Sequence, residues 1–136
     1  HEINLQWIKF EDKNEIFSIM NVHGRWNGQG KTDTEDRIEQ SKRIKEFINI
    51  TSGPKILCGD FNLRPDTESL KIVSEGMNDL VKIHDIKSTR TSFYGKTEKF
   101  ADYIFTSPEI IVDKFEVMPD EVSDNAALFL DFKITD

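Results

Sequence analysis

The 136 residues, 15.8 kDa, are the size of one compact domain with one core. Hydrophobic residues make up 37% and charged residues 32%, with ten Phe and two Trp, too apolar for a disordered chain and too polar for a membrane protein. A net charge of −7 and a pI near 5.0 oppose adhesion to nucleic acid or anionic membrane through a broad basic footprint, so an anionic ligand needs a local device.

In chain order, His1-Glu2-Ile3-Asn4-Leu5 lacks the basic stretch and cleavage pattern of a leader. Ile3, Leu5 and Trp7 alternate, Glu11-Asp12-Lys13-Asn14 is a polar turn, and residues 16–22 are apolar and β-branched. This pattern predicts an antiparallel hairpin that ends at Asn21-Val22-His23-Gly24. Residues 24–33 hold three of the seven glycines and read as a loop. Within it, Asn27-Gly28-Gln29-Gly30-Lys31-Thr32 lacks the glycine spacing of a P-loop despite its Lys-Thr pair. Thr32 and Glu35 have the spacing of a capping box, and Ile38, Ile44, Phe47 and Ile48 share half a helical wheel, which predicts a helix over 33–50.

Gly53-Pro54 ends that helix, and Ile56-Leu57-Cys58 before Gly59 predicts a buried central strand. Cys58 is the sole cysteine, so no intrachain disulfide or cysteine-rich zinc site forms within this sequence, and a small buried hydrophobe is expected there. The cysteine usage fits a reducing, cytoplasmic setting. Asp60-Phe61-Asn62 then lies at the strand's C-terminal end. Pro65-Asp66-Thr67 opens a short helix carrying Leu70, Ile72 and Val73 until Gly76. Strands are predicted over 100–105, 114–118 and 128–134, the last with Leu128, Leu130, Phe132 and Ile134 on one face and closing the sheet. Strands interleaved with two helices and no internal repeat describe an α/β or α+β layer arrangement.

Four polar clusters sit at or beside predicted strand edges: Asn21 with His23, Asp60 with Asn62, Asp102, and Ser123-Asp124-Asn125. Singly, Asp and Asn at such places are commonly turn formers. Together they can share one pocket, because a sheet gathers the ends of several strands. Carboxylate and carboxamide oxygens are hard ligands suited to magnesium or manganese rather than zinc or copper. Asp102, between Ala101 and Tyr103 in an apolar strand, demands a partner, since a buried lone carboxylate costs several kcal/mol.

The order Asn21-Val22-His23, Gly59-Asp60-Phe61-Asn62-Leu63-Arg64-Pro65, Asp102-Tyr103-Ile104-Phe105, Ser123-Asp124 resembles the endonuclease/exonuclease/phosphatase superfamily, with Gly-Asp-Phe-Asn and its following proline the most specific segment. The resemblance spans nearly the whole chain but only the second half of the family domain. It implies hydrolysis of phosphate esters with Mg2+ or Mn2+ by a phosphodiesterase, nuclease or phosphatase. By that likeness Asp60 and Asn62 orient the attacking water and contact the phosphate, and His23, assisted by Asn21, contacts the scissile group. Asp124 and Asp60 stand on the metal side, and Asp102 supports the residue after Asp124. That residue is a histidine in the family and Asn125 here, an amide that cannot exchange a proton near neutral pH. The family's metal-binding glutamate and a companion asparagine belong to an N-terminal half that lies outside these residues.

The implied fold for residues 1–136 is a C-terminal half-domain, half of a four-layer α/β/β/α sandwich. One mostly antiparallel sheet is covered by helices, and its other face needs a partner. An N-terminal half-domain or a second copy of the chain would supply that partner. The alternative to an enzyme is a noncatalytic fragment or degenerate enzyme that serves assembly or phosphate-ligand binding. Arg64 is a candidate substrate-binding residue, and Arg25, Lys31, Arg90, Lys96 and Lys99 line one phosphate track with it if they converge. Trp26, Phe93 and Tyr94 are expected to be packed, with stacking on a base or sugar as the alternative. Nucleic acid, phospholipid and sugar phosphate all stay open as substrates.

Overall fold

A computed structural model describes residues 4–135. Strands β1 (Asn4–Asp12) and β2 (Glu15–His23) pair antiparallel. Lys13 and Asn14 between them both have positive φ, 49° and 71°, the two-residue turn that matches strand twist. Helix α1 (Glu35–Ile50) crosses back to β3 (Lys55–Asp60), which runs parallel to β2. Then come α2 (Glu68–Ser74), β4 (Asn78–Asp79), the one-turn helix α3 (Leu80–Ile83), β5 (Asp102–Thr106), β6 (Ile110–Val117) and β7 (Leu128–Ile134).

The main sheet has the order β1-β2-β3-β5-β4, antiparallel except for β2–β3, and β6–β7 form a separate two-stranded sheet. The last strand pairs with β6 in that separate sheet, so the single sheet expected from the sequence is divided in two. Its alternation holds, with Leu128, Leu130, Phe132 and Ile134 half-buried and Phe129, Asp131 and Lys133 exposed.

Alternation along each strand sorts the main sheet into two faces. Met20, Val22, Leu57, Tyr103 and Phe105 are fully buried, or within 1% of it, on the helix side. There Phe61 meets Tyr103 and Phe105 edge-on, and Trp7 meets Phe47 of α1 edge-on. The opposite face carries Ile8, Phe10, Phe17, Asn21, His23, Cys58, Asp60 and Asp102. Phe132 of β7 reaches that face at Phe17, with centroids 5.6 Å apart, so the small sheet lies over it as an incomplete second layer. Ile8 remains 55% exposed and Phe10 38%. Cys58 is only half-buried, because it belongs to this incompletely covered face, and its burial holds the thiol above its ordinary pKa.

Two further departures from the sequence reading have local causes. The N-cap of α1 is Thr34, whose Oγ1 accepts from the Arg37 amide at 3.3 Å. Thr32 is kept in the loop because its carbonyl accepts from Arg37 Nη1 at 2.7 Å. The extra helix α3 starts where Asp79 caps the Lys82 amide at 3.2 Å. Among the described residues no helix is long and apolar enough to cross a membrane.

Candidate functional site

Strands β2 and β3 end side by side and β5 begins beside them, so register aligns His23, Asp60 and Asp102 in one row on one face. Neighbouring strands lie about 4.8 Å apart, which brings these side chains within reach of shared partners. Close backbone approach makes the row possible. At Gly59, with φ 139°, a Cβ would overlap the Val22 carbonyl, and at Gly24 it would overlap that of Phe61. Only glycine fits there.

The turn after β3 is held by its own polar residues. Asn62 takes a left-handed φ of 54°, which asparagine tolerates. Its amide N–H donates to Asp60 Oδ1 at 2.9 Å, and its Nδ2 donates to the Gly24 carbonyl at 3.1 Å. This is the Asx turn expected of such a pair, and it ties the ends of β2 and β3 together.

The loop between β6 and β7 delivers Asn125 to the row. It is anchored by a bridge between Arg90 and Asn125, by the Ala126 amide on the Thr89 carbonyl at 2.9 Å, and by the Thr91 amide on the Asp124 carbonyl at 3.1 Å. Asn125 Nδ2 then donates to both carboxylates, Asp60 Oδ2 at 2.9 Å and Asp102 Oδ1 at 2.8 Å. Arg90 Nη1 donates to Asn125 Oδ1 at 2.7 Å. Both oxygens of Asp60 are thus engaged, one by Asn62 and one by Asn125.

Asp102 finds the partner it requires in Asn125, yet its Oδ2 is buried without a hydrogen bond. Burial first, and the Asp60 charge as a further contributor, raise its pKa to about 6, against the lowering pull of Asn125 and Arg90. Behind the row, Thr89 is fully buried and its Oγ1 accepts from the Ala101 and Asp102 amides at 3.1 and 3.3 Å. Neither Thr89 nor the role of Arg90 is legible in the sequence, since a single Thr and Arg in a polar stretch carry no periodic signal.

The remaining expected residues are placed as follows. His23 is exposed at one end of the row. Asn21 shares its face, and its Nδ2 is 3.4 Å from Gln6 Oε1, on the β1 side of the row. Asp124 has a half-exposed side chain 3.9 Å from Arg90 Nη1. Arg64 turns away to Glu98, with Nε 2.8 Å from Oε1. Lys31 is only 3% exposed, its ammonium has no hydrogen-bond partner, and burial lowers its pKa. Trp26 and Phe93, expected to be packed, are 51% and 64% exposed, because each lies in a loop beyond the sheet.

Among the described residues no three His, Cys, Asp or Glu side chains converge to hold an ion. Asp60 has both oxygens occupied by protein donors, and Asp124 faces Arg90. The donor set among the described residues does not converge on one ion position. It fits a neutral-amide bridge between two carboxylates, with an arginine at the amide's far end.

The profile of the endonuclease/exonuclease/phosphatase family matches residues 9–124. A mannosyl-6-phosphatase from Bacteroides thetaiotaomicron superposes with a TM-score of 0.74 at 24% identity, over 96% of this chain and 57% of its own. A conserved protein from Enterococcus faecalis gives 0.77 at 21%, over 96% and 56%. The human Nocturnin catalytic domain with bound sulfate gives 0.71 at 24%, over 96% and 52%. At these identities the likeness is one of fold, and the chain spans little more than half the length of these relatives. No protein of curated function matches the chain. With the profile covering most of its length, the chain belongs to the endonuclease/exonuclease/phosphatase family.

Proposed function

We propose that this chain is a noncatalytic module of the family, one that binds a phosphate-bearing ligand and assembles through the open face of its main sheet. The observation that carries this reading is Asn125. Its amide donates to Asp60 and Asp102 together, where the family resemblance expects a histidine. A carboxamide holds the two carboxylates in place but has no proton to exchange near neutral pH, so any general acid/base contribution from position 125, typically about 10²- to 10⁴-fold, is lost. Among the described residues no three His, Cys, Asp or Glu side chains converge to hold Mg2+ or Mn2+. Residues 1–136 act in this reading as one half-domain, with a complementary half-domain or a second copy seated over Ile8 and Phe10.

The test is a calorimetric magnesium titration of the full chain beside a hydrolysis assay with bis(p-nitrophenyl) phosphate. The reading expects no saturable magnesium uptake and no turnover above background. Magnesium binding that disappears in Asp124→Ala, together with turnover that disappears in Asp60→Asn, would overturn it.

A second reading is favoured by the share of the relatives that this chain spans, 57% of the mannosyl-6-phosphatase. Here the chain is the second half of a divalent-metal-dependent phosphoesterase, acting on a phosphate ester or a nucleic acid, and the remainder of the domain supplies the main metal ligand. Asp60, Asn62, His23, Asp102 and Asp124 then keep the roles that the resemblance implies, and Asn21 assists His23. The same titration on a completed domain separates the two readings.

A further inference from the structure

The cations expected to form one phosphate track do not all converge. Arg64 is occupied by Glu98 and Arg25 by Asp36, 3.5 Å away. Arg90, Lys96 and Lys99 do converge, on a cleft of about 460 Å3 in the 88–99 loop whose walls include Tyr94, Thr97 and Glu98. Glu98 is the one acid on those walls, and the Arg64 guanidinium holds its carboxyl below the usual carboxylate range. The cleft therefore carries a net positive lining in a protein of net charge −7.

Two buried cations reinforce it. The Arg90 side chain is 8% exposed, and its Nε has no hydrogen-bond partner although Nη1 is used by Asn125. Lys31, also without a partner for its ammonium, lies 5.4 Å from the centroid of the Tyr94 ring that walls the cleft, and the Arg90 guanidinium lies 4.2 Å from the same centroid. Buried donors of this kind are costly unless they are satisfied; here the Tyr94 face lies within cation–π reach of both, so two positive charges stand behind one wall of the cleft.

We propose that this cleft, rather than the carboxylate row, seats the phosphate of the ligand. Lys96 and Lys99, both at the surface, donate to the phosphate oxygens, and the Arg90 guanidinium behind the Tyr94 ring adds positive charge. Lys31 adds positive potential through the Tyr94 wall, while Asn125 bridges Asp60 and Asp102 and Asp124 stands 3.9 Å from Arg90 Nη1, so Lys96 and Lys99 carry most of the attraction. Lys96 also lies 5.7 Å from the centroid of the exposed Trp26 ring, so the organic part of the ester leaves the cleft across an aromatic surface. The ligand class is a phosphate monoester or a terminal phosphate group. The assignment rests on the phosphate-binding reading above and adds the place where binding occurs.

Amide NMR spectra of the full chain titrated with inorganic phosphate, against chloride at matched ionic strength, test it. Saturable shifts are expected at Tyr94, Thr97 and Lys99, with Lys96→Gln and Lys99→Gln each weakening phosphate about tenfold and Lys96→Arg keeping most of the affinity. Both lysines are at the surface, and the unperturbed remainder of each spectrum certifies the fold. Shifts confined to residues 60–62 and Asn125, with the lysine variants unchanged, would sink the cleft but keep phosphate binding. Shifts reproduced by chloride reduce the cleft to charge screening and overturn it. No saturable shift anywhere overturns both the cleft and the phosphate-binding reading.

Discussion

Replacing Asp102 with asparagine isolates the energetic cost built into the row. The carboxyl is 9% exposed and titrates near 6 in the folded protein, against an ordinary 3.8. At 1.36 kcal/mol for each pH unit, that difference corresponds to about 3 kcal/mol. Its sign follows from proton binding. Between pH 3.8 and about 6 the native state holds a proton that the unfolded chain has released, so native stability falls as pH rises through that window. The contribution of this group is complete below the lower value and gone above the higher one.

Asparagine keeps an acceptor for Asn125 Nδ2 and cannot ionise. The variant should therefore gain on the wild type by about 2 kcal/mol between pH 4 and pH 7, on top of a constant offset for the changed buried group. Asp33 and Glu98 have lowered carboxyl pKa values, so their stabilisation is lost on acidification, in the opposite sense. They are common to both proteins and cancel in the difference. Urea unfolding followed by tryptophan fluorescence, at constant ionic strength and half-unit pH intervals, measures this difference. Wild-type and variant stabilities that run parallel from pH 4 to pH 7 would refute the assignment of a strained, proton-holding Asp102.

Gly59→Ala drives a Cβ into the Val22 carbonyl at a left-handed φ and should cost more than about 4 kcal/mol; thermal unfolding within a few degrees of wild type would contradict this. Thr34→Ala should destabilise the protein by about 1 kcal/mol through loss of the cap, and Thr32→Ala by less than about 0.5 kcal/mol, which chemical denaturation resolves. Asn125→His in this chain alone should leave diester hydrolysis at background, because among the described residues no three His, Cys, Asp or Glu side chains converge to hold an ion. In a folded assembly with the first half of a related domain it should raise hydrolysis at least about 100-fold, and no gain there would remove the catalytic roles implied for His23, Asp60 and Asp124.

Much of the scaffold is legible in the sequence because local physics dictates it. Alternation marks β1, β2 and β7, the Ile56-Leu57-Cys58 run marks the central strand, and the Gly53-Pro54 break marks the end of α1. The cap of α1 was legible only to within two residues, since Thr32 and Thr34 are equally good acceptors and the choice is made by Arg37, which engages the Thr32 carbonyl from one turn into the helix. The partition into two sheets was not legible, because β6 and β7 carry the same alternation whichever neighbour they pair with.

The four polar clusters could be placed at strand ends from pattern alone, and the anomaly of a carboxylate at Asp102 in an apolar strand already required a partner. Read along the chain, the residues supply an inventory: strand ends bearing Asp, Asn and His, an acidic surface, and an amide at position 125. Tertiary structure decided the pairings. Asn125 meets Asp60 across 65 residues and Asp102 across 23, and Arg90, Lys96 and Lys99 line a cleft whose acid, Glu98, is held by Arg64. Hydrophobic periodicity is a property of neighbours in the chain, whereas hydrogen bonds and charges pair across loops whose paths no local propensity specifies.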